Sequence, residues 1–341
     1  MVVVDCSDSV ASRFAASVLA GQGARVLRPA RESDARDEPG LARILSRGIE
    51  LCSRPANADE WDSLLSTANA VLVNAPEGDW GKVGGLVSRF PALSVVCSTP
   101  YGLASYSSSG KWTPLTLAAE SGLLGITGEP DGAPEAIRGH VTSFACGWAI
   151  SSAAWASYRG AQISGRGGLV DLSLLEMFVF LQWNATQRAA FENVVMQRQG
   201  ARGLGHPWGV YPCKDGHVIL IVGAGGRNWA RFAQVMGIPE LAESRYESAQ
   251  ARAQHADEID ALMLPWLMEH TAEEIFTSAQ EANLPFGMVC SPATLLQDAQ
   301  LNSRDFFPAD ETGLRWPQLP FRINGVRPRW GLPAEAHGVA R

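Results

Sequence analysis

The sequence predicts an α/β protein built on a doubly wound parallel sheet, and three observations carry that reading. The chain opens on a short uninterrupted β-branched run, Met1–Asp5 (MVVVD), of the kind buried on both faces of a parallel strand. Ser9–Ala20 follows with helical spacing, and Gly21–Leu27 returns to an extended pattern, which makes a β-α-β start. Two further buried strands, Ala70–Asn74 (AVLVN) and Leu93–Ser98 (LSVVCS), flank a helical pattern over Val83–Phe90. Enzymes that bind dinucleotides begin in this way, but here CSDSVAS stands where their GxGxxG turn belongs, so a nicotinamide cofactor is disfavoured.

The remaining elements follow in order. Thr99–Lys111 is a Gly/Ser-rich loop, and Gly128–Pro134 is punctuated as a turn. Val141–Tyr158 is an uncharged run of small apolar residues, long enough for a buried helix. Gly165, Gly167 and Gly168 mark a tight turn into LVDLS, a strand that passes into a helix predicted over about Leu174–Gln197, with Phe178, Trp183 and Phe191 assigned to the core. Lys214-Asp215-Gly216 is a hairpin turn. Thr271 and Glu274 form a capping box for a helix ending near Ala282.

Composition sets the outer bounds. With 341 residues, 46% hydrophobic and 18% charged, the chain can bury a large core and is expected to hold two structural units. A net charge of −7 argues against a general nucleic-acid role, because phosphate backbones need a basic surface. Six cysteines without a CxxC pair argue against a zinc ribbon and for reduced structural thiols. MVVVDCSDSVASRF has no basic region ahead of its apolar start, and no apolar run reaches membrane-spanning length, so a soluble cytoplasmic protein is expected.

A series of short motifs then narrows the reading. In order they are Ser121-Gly122, Thr127-Gly128, Pro130-Asp131-Gly132-Ala133-Pro134, the uncharged run, Arg159, Ser164-Gly165-Arg166-Gly167 and Val170-Asp171-Leu172-Ser173. Pro207, Gly209, Tyr211, Asp215 and Gly216 follow, then Asp298, Gln300 and Arg304. Their order and spacing resemble the family III CoA-transferases, the CaiB/BaiF type that includes the carnitine and bile-acid CoA-transferases. GQGARVLRP resembles the second strand of that family, with Arg28 and Ala30 in place of a lysine and a glutamate. Ala11-Ser12-Arg13 stands at an Ala-Gly-Pro turn, and Ser46-Arg47-Gly48 resembles an Asn-Arg-Gly-Lys segment with Ile49 for the lysine.

The resemblance implies a Rossmann-like large domain over residues 1–200, a small α/β domain over 201–307 and a C-terminal return over 308–341, in an interlocked dimer. It implies coenzyme A or an acyl-CoA as substrate and no covalently bound cofactor. It places CoA near Val10 and Ala11, Ala75 and Pro76, and Tyr101 and Gly102. Arg13, Arg28, Arg36 and Arg47 are candidates for the CoA phosphates, solvated surface charge being the alternative. Gly225 and Gly226, in GAGG after Val218–Val222, stand where some relatives close a glycine-rich loop over the thioester. Backbone N–H groups there could stabilise negative charge, a plain flexible connection being the alternative.

One departure governs function. In the family, an aspartate four residues before the glycine of the buried helix attacks the acyl-CoA, giving a mixed anhydride and then an aspartyl-CoA thioester. Counting back from Gly147 gives Ser143. A carboxylate is ionised at neutral pH, whereas a serine hydroxyl needs a base beside it. His140 lies three residues before Ser143, a helical neighbour, but no group that would orient it is identifiable. Cys146 reads as a buried small residue with nothing electropositive near it. Related acyl-CoA racemases pair the aspartate with a histidine, whose position here falls near Thr113, so racemisation is not expected. Asp131 and Asp171 read as structural, and Glu120 is a further residue near the site. Three functions remain: a CoA-transferase subunit working with an aspartate-bearing paralogue, a homodimeric acyl-CoA-binding protein without turnover, or altered chemistry on a CoA ester through Ser143 or a water.

Overall fold

The computed structural model describes residues 1–31, 38–75, 80–103, 111–200, 206–223, 226–328 and 330. They form two compact units. The first comprises Met1–Gly125, Ala136–Met196 and the chain from Arg304, and the second comprises Ile126–Glu135 and Gln197–Ser303. The sequence division, at 200 and 307, does not set apart the Pro130-Asp131-Gly132 segment, which belongs to the second unit.

The first unit carries a six-stranded parallel sheet in the order β3-β2-β1-β4-β5-β6. Its strands are β1 (Val2–Cys6), β2 (Arg25–Pro29), β3 (Ile49–Cys52), β4 (Ala70–Val73), β5 (Ser94–Thr99) and β6 (Leu169–Ser173). The helices are α1 (Val10–Gly21), α2 (Pro39–Leu45), α3 (Ala58–Ser66), α4 (Trp80–Arg89), α5 (Pro114–Glu120), α6 (Val141–Ser164), α7 (Leu174–Leu181) and α8 (Trp183–Phe191). The β-branched runs at Val3, Val4, Val71, Val95 and Val96 are buried, as strands covered on both faces require. Edge strand β3 (IELC) lacks that signature and escapes the sequence reading, because Glu50 and Leu51 face solvent.

Helix α1 starts at Ser9, whose Oγ accepts the Ser12 N–H at 3.1 Å. It is buried almost throughout because α6 covers the side away from the sheet. Helix α6 turns Thr142, Cys146, Ile150 and Ala154, with Ser143, Gly147 and Ser151, into the core, the i, i+4 stripe of a helix packed on one face. A Cβ on Gly147 would lie 2.7 Å from the Ala11 carbonyl oxygen and 2.7 Å from the Phe14 ring. The two helices can approach this closely because that side chain is missing.

The predicted helix over Leu174–Gln197 is divided. It breaks at Gln182, whose buried side chain turns inward to donate to the Ser121 carbonyl, and its second part ends at Phe191. Phe178 is a core residue as expected, but Phe191 is 86% exposed. From Arg304 the chain packs on the first unit. Trp330 donates to Ser17 Oγ at 2.9 Å and covers Gly21.

The second unit holds an antiparallel sheet of β7 (Trp208–Cys213), β8 (Gly216–Ile221) and β9 (Gly287–Met288). Its helices are α9 (Gly226–Met236), α10 (Ala249–Gln254), α11 (Ala256–Glu269), α12 (Ala272–Glu281) and two short turns over residues 292–303. The Thr271–Glu274 capping box forms, and Asp215 in the β7–β8 turn accepts the Ala272 N–H at 2.8 Å. Among the described residues no helix is long and apolar enough to cross a membrane.

Candidate functional site

In an open parallel sheet, ligands bind beyond the carboxyl ends of the strands where the strand order reverses, here between β1 and β4. Asn74, just past β4, fills that crevice. Its Oδ1 accepts the Asp8 and Ser9 N–H groups at 2.7 and 3.0 Å. Its Nδ2 donates to the Ser98 carbonyl at 2.8 Å, and a 2.6 Å contact joins Ser12 Oγ to Ser98 Oγ. The backbone donors that a dinucleotide phosphate would use are thus occupied by a side chain. This is the structural counterpart of the missing GxGxxG turn.

Beside this network lies a cavity of about 240 Å³. The first turn of α1 contributes Ser9, Val10 and Ala11, and α6 contributes Ser143 and Cys146. Trp112, Thr113, Pro114 and Leu117 come from α5 and the residues before it, and Leu174 and Phe178 from α7. Ser143 and Thr113, both located by counting along motifs, therefore meet in one cavity with Val10 and Ala11.

Ser143 is 6% exposed and occupies the first turn of α6. That turn has no side-chain cap, since His140 at the N-cap position makes no capping bond, so its N–H groups leave a positive helix end. The Ser143 hydroxyl has no hydrogen-bond partner among the described residues. His140 is exposed with its ring 5.9 Å from that of Phe144, and it is not a lining residue, so the Ser–His pairing does not form. No lining side chain is a histidine or carboxylate, and Glu120 is exposed at the far end of α5. Burial pushes the Cys146 thiol up to about 12, so at neutral pH it is a neutral apolar group and not a nucleophile. Among the described residues lining the cavity, no side chain can act as a base toward a serine hydroxyl.

Two arginine candidates are engaged elsewhere. Arg28 is buried, its guanidinium 2.6 Å from the equally buried Asp5 and 3.0 Å from the Ser7 carbonyl oxygen. Arg47 donates to the carbonyls of Pro317 (3.2 Å) and Trp330 (2.6 Å) and stacks near both Trp316 and Trp330, which ties the C-terminal segment to α2. Partial burial lowers its pKa from the usual guanidinium value. In both residues the guanidinium is engaged by groups of the protein itself. Arg13 is buried within α1. Arg36, Pro76 and Gly225 lie outside the described residues. Ala75 follows Asn74 at the end of β4, and Tyr101 and Gly102 follow β5, where the Gly102 N–H donates to Thr99 Oγ1 at 2.8 Å. Gly226 opens α9 in the second unit.

Several motifs resolve into structural devices. Asp171 accepts the Leu103 N–H at 3.0 Å and so pins the loop after β5, while Ser173 caps α7. Gly167 passes so close to β5 that a Cβ would sit 2.0 Å from the Leu93 carbonyl oxygen. Arg198 gathers the carbonyls of Glu129 and Gly132 at 3.2 and 2.9 Å, which holds the Pro130-Asp131-Gly132 turn and leaves Asp131 exposed. Sequence reasoning missed Asn74, Trp112, Leu117 and Leu174 as site residues. A polar residue ending the apolar AVLVN strand was the available signal for Asn74, whereas the others look like any core residue.

A family model described as CoA-transferase family III matches residues 1–338. Succinyl-CoA–D-citramalate CoA-transferase of Chloroflexus aurantiacus is 28% identical over 224 residues, which are 65% of this chain but only 54% of that enzyme. The beta subunit of succinyl-CoA–L-malate CoA-transferase from the same species is 23% identical over 89% of this chain and 80% of its own. The alpha subunit matches at 27% over 45% and 36%. A crystal structure of a CaiB/BaiF family protein from Brucella suis shares the fold, with a TM-score of 0.86 at 19% identity over 98% of this chain and 94% of that one.

Proposed function

Because the chain belongs to CoA-transferase family III, we propose that it serves CoA transfer between a CoA ester and a carboxylic acid as the subunit that does not supply the nucleophile. The aspartate comes from a homologous partner, and this chain contributes a CoA-ester pocket to an interlocked assembly. One observation carries the reading: Ser143 lines a cavity at an uncapped helix end, and none of the described residues lining it is a base that could ionise it. A carboxylate there would be charged and held by the helix end; a hydroxyl is neither. Named alpha and beta subunits of one transferase among the relatives support a division of labour between similar chains.

The alternatives are acyl-CoA binding without turnover, and hydrolysis or transfer through Ser143 itself. In the latter, Ser143 Oγ would attack the thioester carbon, its proton leaving to a base, and the C–S bond would break to release CoA thiolate. The surroundings of Ser143 do not favour that step.

The test is restoration of the carboxylate. Ser143→Asp is expected to exchange a radiolabelled short-chain acid into its CoA ester, whereas the unaltered chain does not. Exchange by the unaltered chain that disappears in Ser143→Ala would instead establish serine chemistry. If Ser143→Asp binds the ester yet exchanges nothing, position 143 is not where the transferred acyl group sits.

A further inference from the structure

We infer that the acyl group received by the Ser143 cavity is short, aliphatic and uncharged. The inference rests on the proposal that CoA esters bind at this site, and it concerns the chemistry of the eleven lining residues. None of them carries a charge. The hydroxyl of Ser9 is engaged within the protein, and that of Thr113 accepts one hydrogen bond there. Ser9 Oγ accepts from Ser12 N at 3.1 Å and lies 2.9 Å from Ser12 Oγ, and Thr113 Oγ1 accepts from Thr116 N at 3.2 Å as the cap of α5. Burial keeps the Cys146 thiol protonated. The Ser143 hydroxyl, with no partner among the described residues, sits on the uncapped turn of α6. One hydroxyl beside a positive helix end suits the carbonyl oxygen of a thioester.

The rest of the wall is Val10, Ala11, Trp112, Pro114, Leu117, Leu174 and Phe178, a surface for methylene groups. A second carboxylate, as in a succinyl ester, would give up its water among these apolar side chains, with no cation among the described lining residues to replace it. Size sets the other limit. A volume of about 240 Å³, at about 30 Å³ per water-sized group, holds about eight non-hydrogen atoms. That accommodates the thioester carbonyl, its sulfur and a tail of about four to six carbons. The succinyl group in the names of the relatives has similar length but opposite polarity at its end.

Calorimetric titration of the full chain with CoA, butyryl-CoA, succinyl-CoA and dodecanoyl-CoA tests the inference. Butyryl-CoA is expected to bind about tenfold or more tightly than succinyl-CoA, and dodecanoyl-CoA no better than butyryl-CoA. Succinyl-CoA binding as tightly as butyryl-CoA would overturn the inference while leaving CoA-ester binding intact. Failure of all four to bind would overturn the functional proposal itself. Pro114→Arg supplies an independent check, because Pro114 is exposed where it lines the cavity and its place in the first turn tolerates replacement. The added cation is expected to narrow or reverse the preference for butyryl-CoA. An unchanged ratio would place the acyl tail outside this cavity.

Discussion

Ser143 concentrates the account at the scale of the residue. As a ligand contact without a catalytic role, its replacement by alanine is expected to change butyryl-CoA affinity by no more than about tenfold, the loss of one hydrogen bond. A fall of several hundredfold would mean that the hydroxyl does more than meet a carbonyl. Cys146, next to it in the cavity, gives a second prediction. With its thiol raised to about 12, it should resist iodoacetamide from pH 7 to 9, while exposed Cys290 is labelled. Because burial has raised the pKa, the neutral thiol is the folded-state form across that range, and thiolate reactivity should appear only as the pH nears 12. Labelling of Cys146 at pH 8 would show a cavity more open and polar than described. At this scale the sequence was partly legible. Counting from glycines picked out Ser143 and Thr113, which line one cavity, whereas the engagement of Arg28 by Asp5 and of Arg47 by the carbonyls of Pro317 and Trp330 is set by groups distant in sequence.

The contact between α1 and α6 is the element that sets the site, since it brings Ser143 beside Val10 and Ala11. Gly147→Ala is expected to destabilise by about 1–3 kcal/mol, because its Cβ would press on the Ala11 carbonyl and the Phe14 ring. It should also weaken CoA-ester binding as α6 shifts outward. Thermal unfolding and titration of the same variant would check both, and a fully stable, fully binding variant would refute the packing argument. In the second unit, Arg252 is buried and donates to the carbonyls of His206 (3.0 Å), Tyr246 (3.1 Å), Glu247 (2.9 Å) and Gly223 (2.8 Å). Arg252→Met would strip these carbonyls of their donor and is expected to cost about 3 kcal/mol or more, read by urea denaturation. Buried β-branched strands and capped helices were legible because their signals are local. Edge strand β3 and the break at Gln182 were not, since one is set by exposure and the other by a side chain reaching Ser121, far away in sequence.

For the whole molecule, the motifs whose order and spacing resemble the family turn out to be mainly structural. Gly167, Asp171, Ser173 and the Pro130-Asp131-Gly132 turn shape strands and loops. The role proposed for the chain is that of a subunit that supplies a pocket and not the nucleophile. Native mass spectrometry of the protein purified from its own cells tests that claim most directly. The account predicts a hetero-oligomer with a homologous chain that bears aspartate at the position equivalent to 143. A species containing only copies of this chain would contradict it.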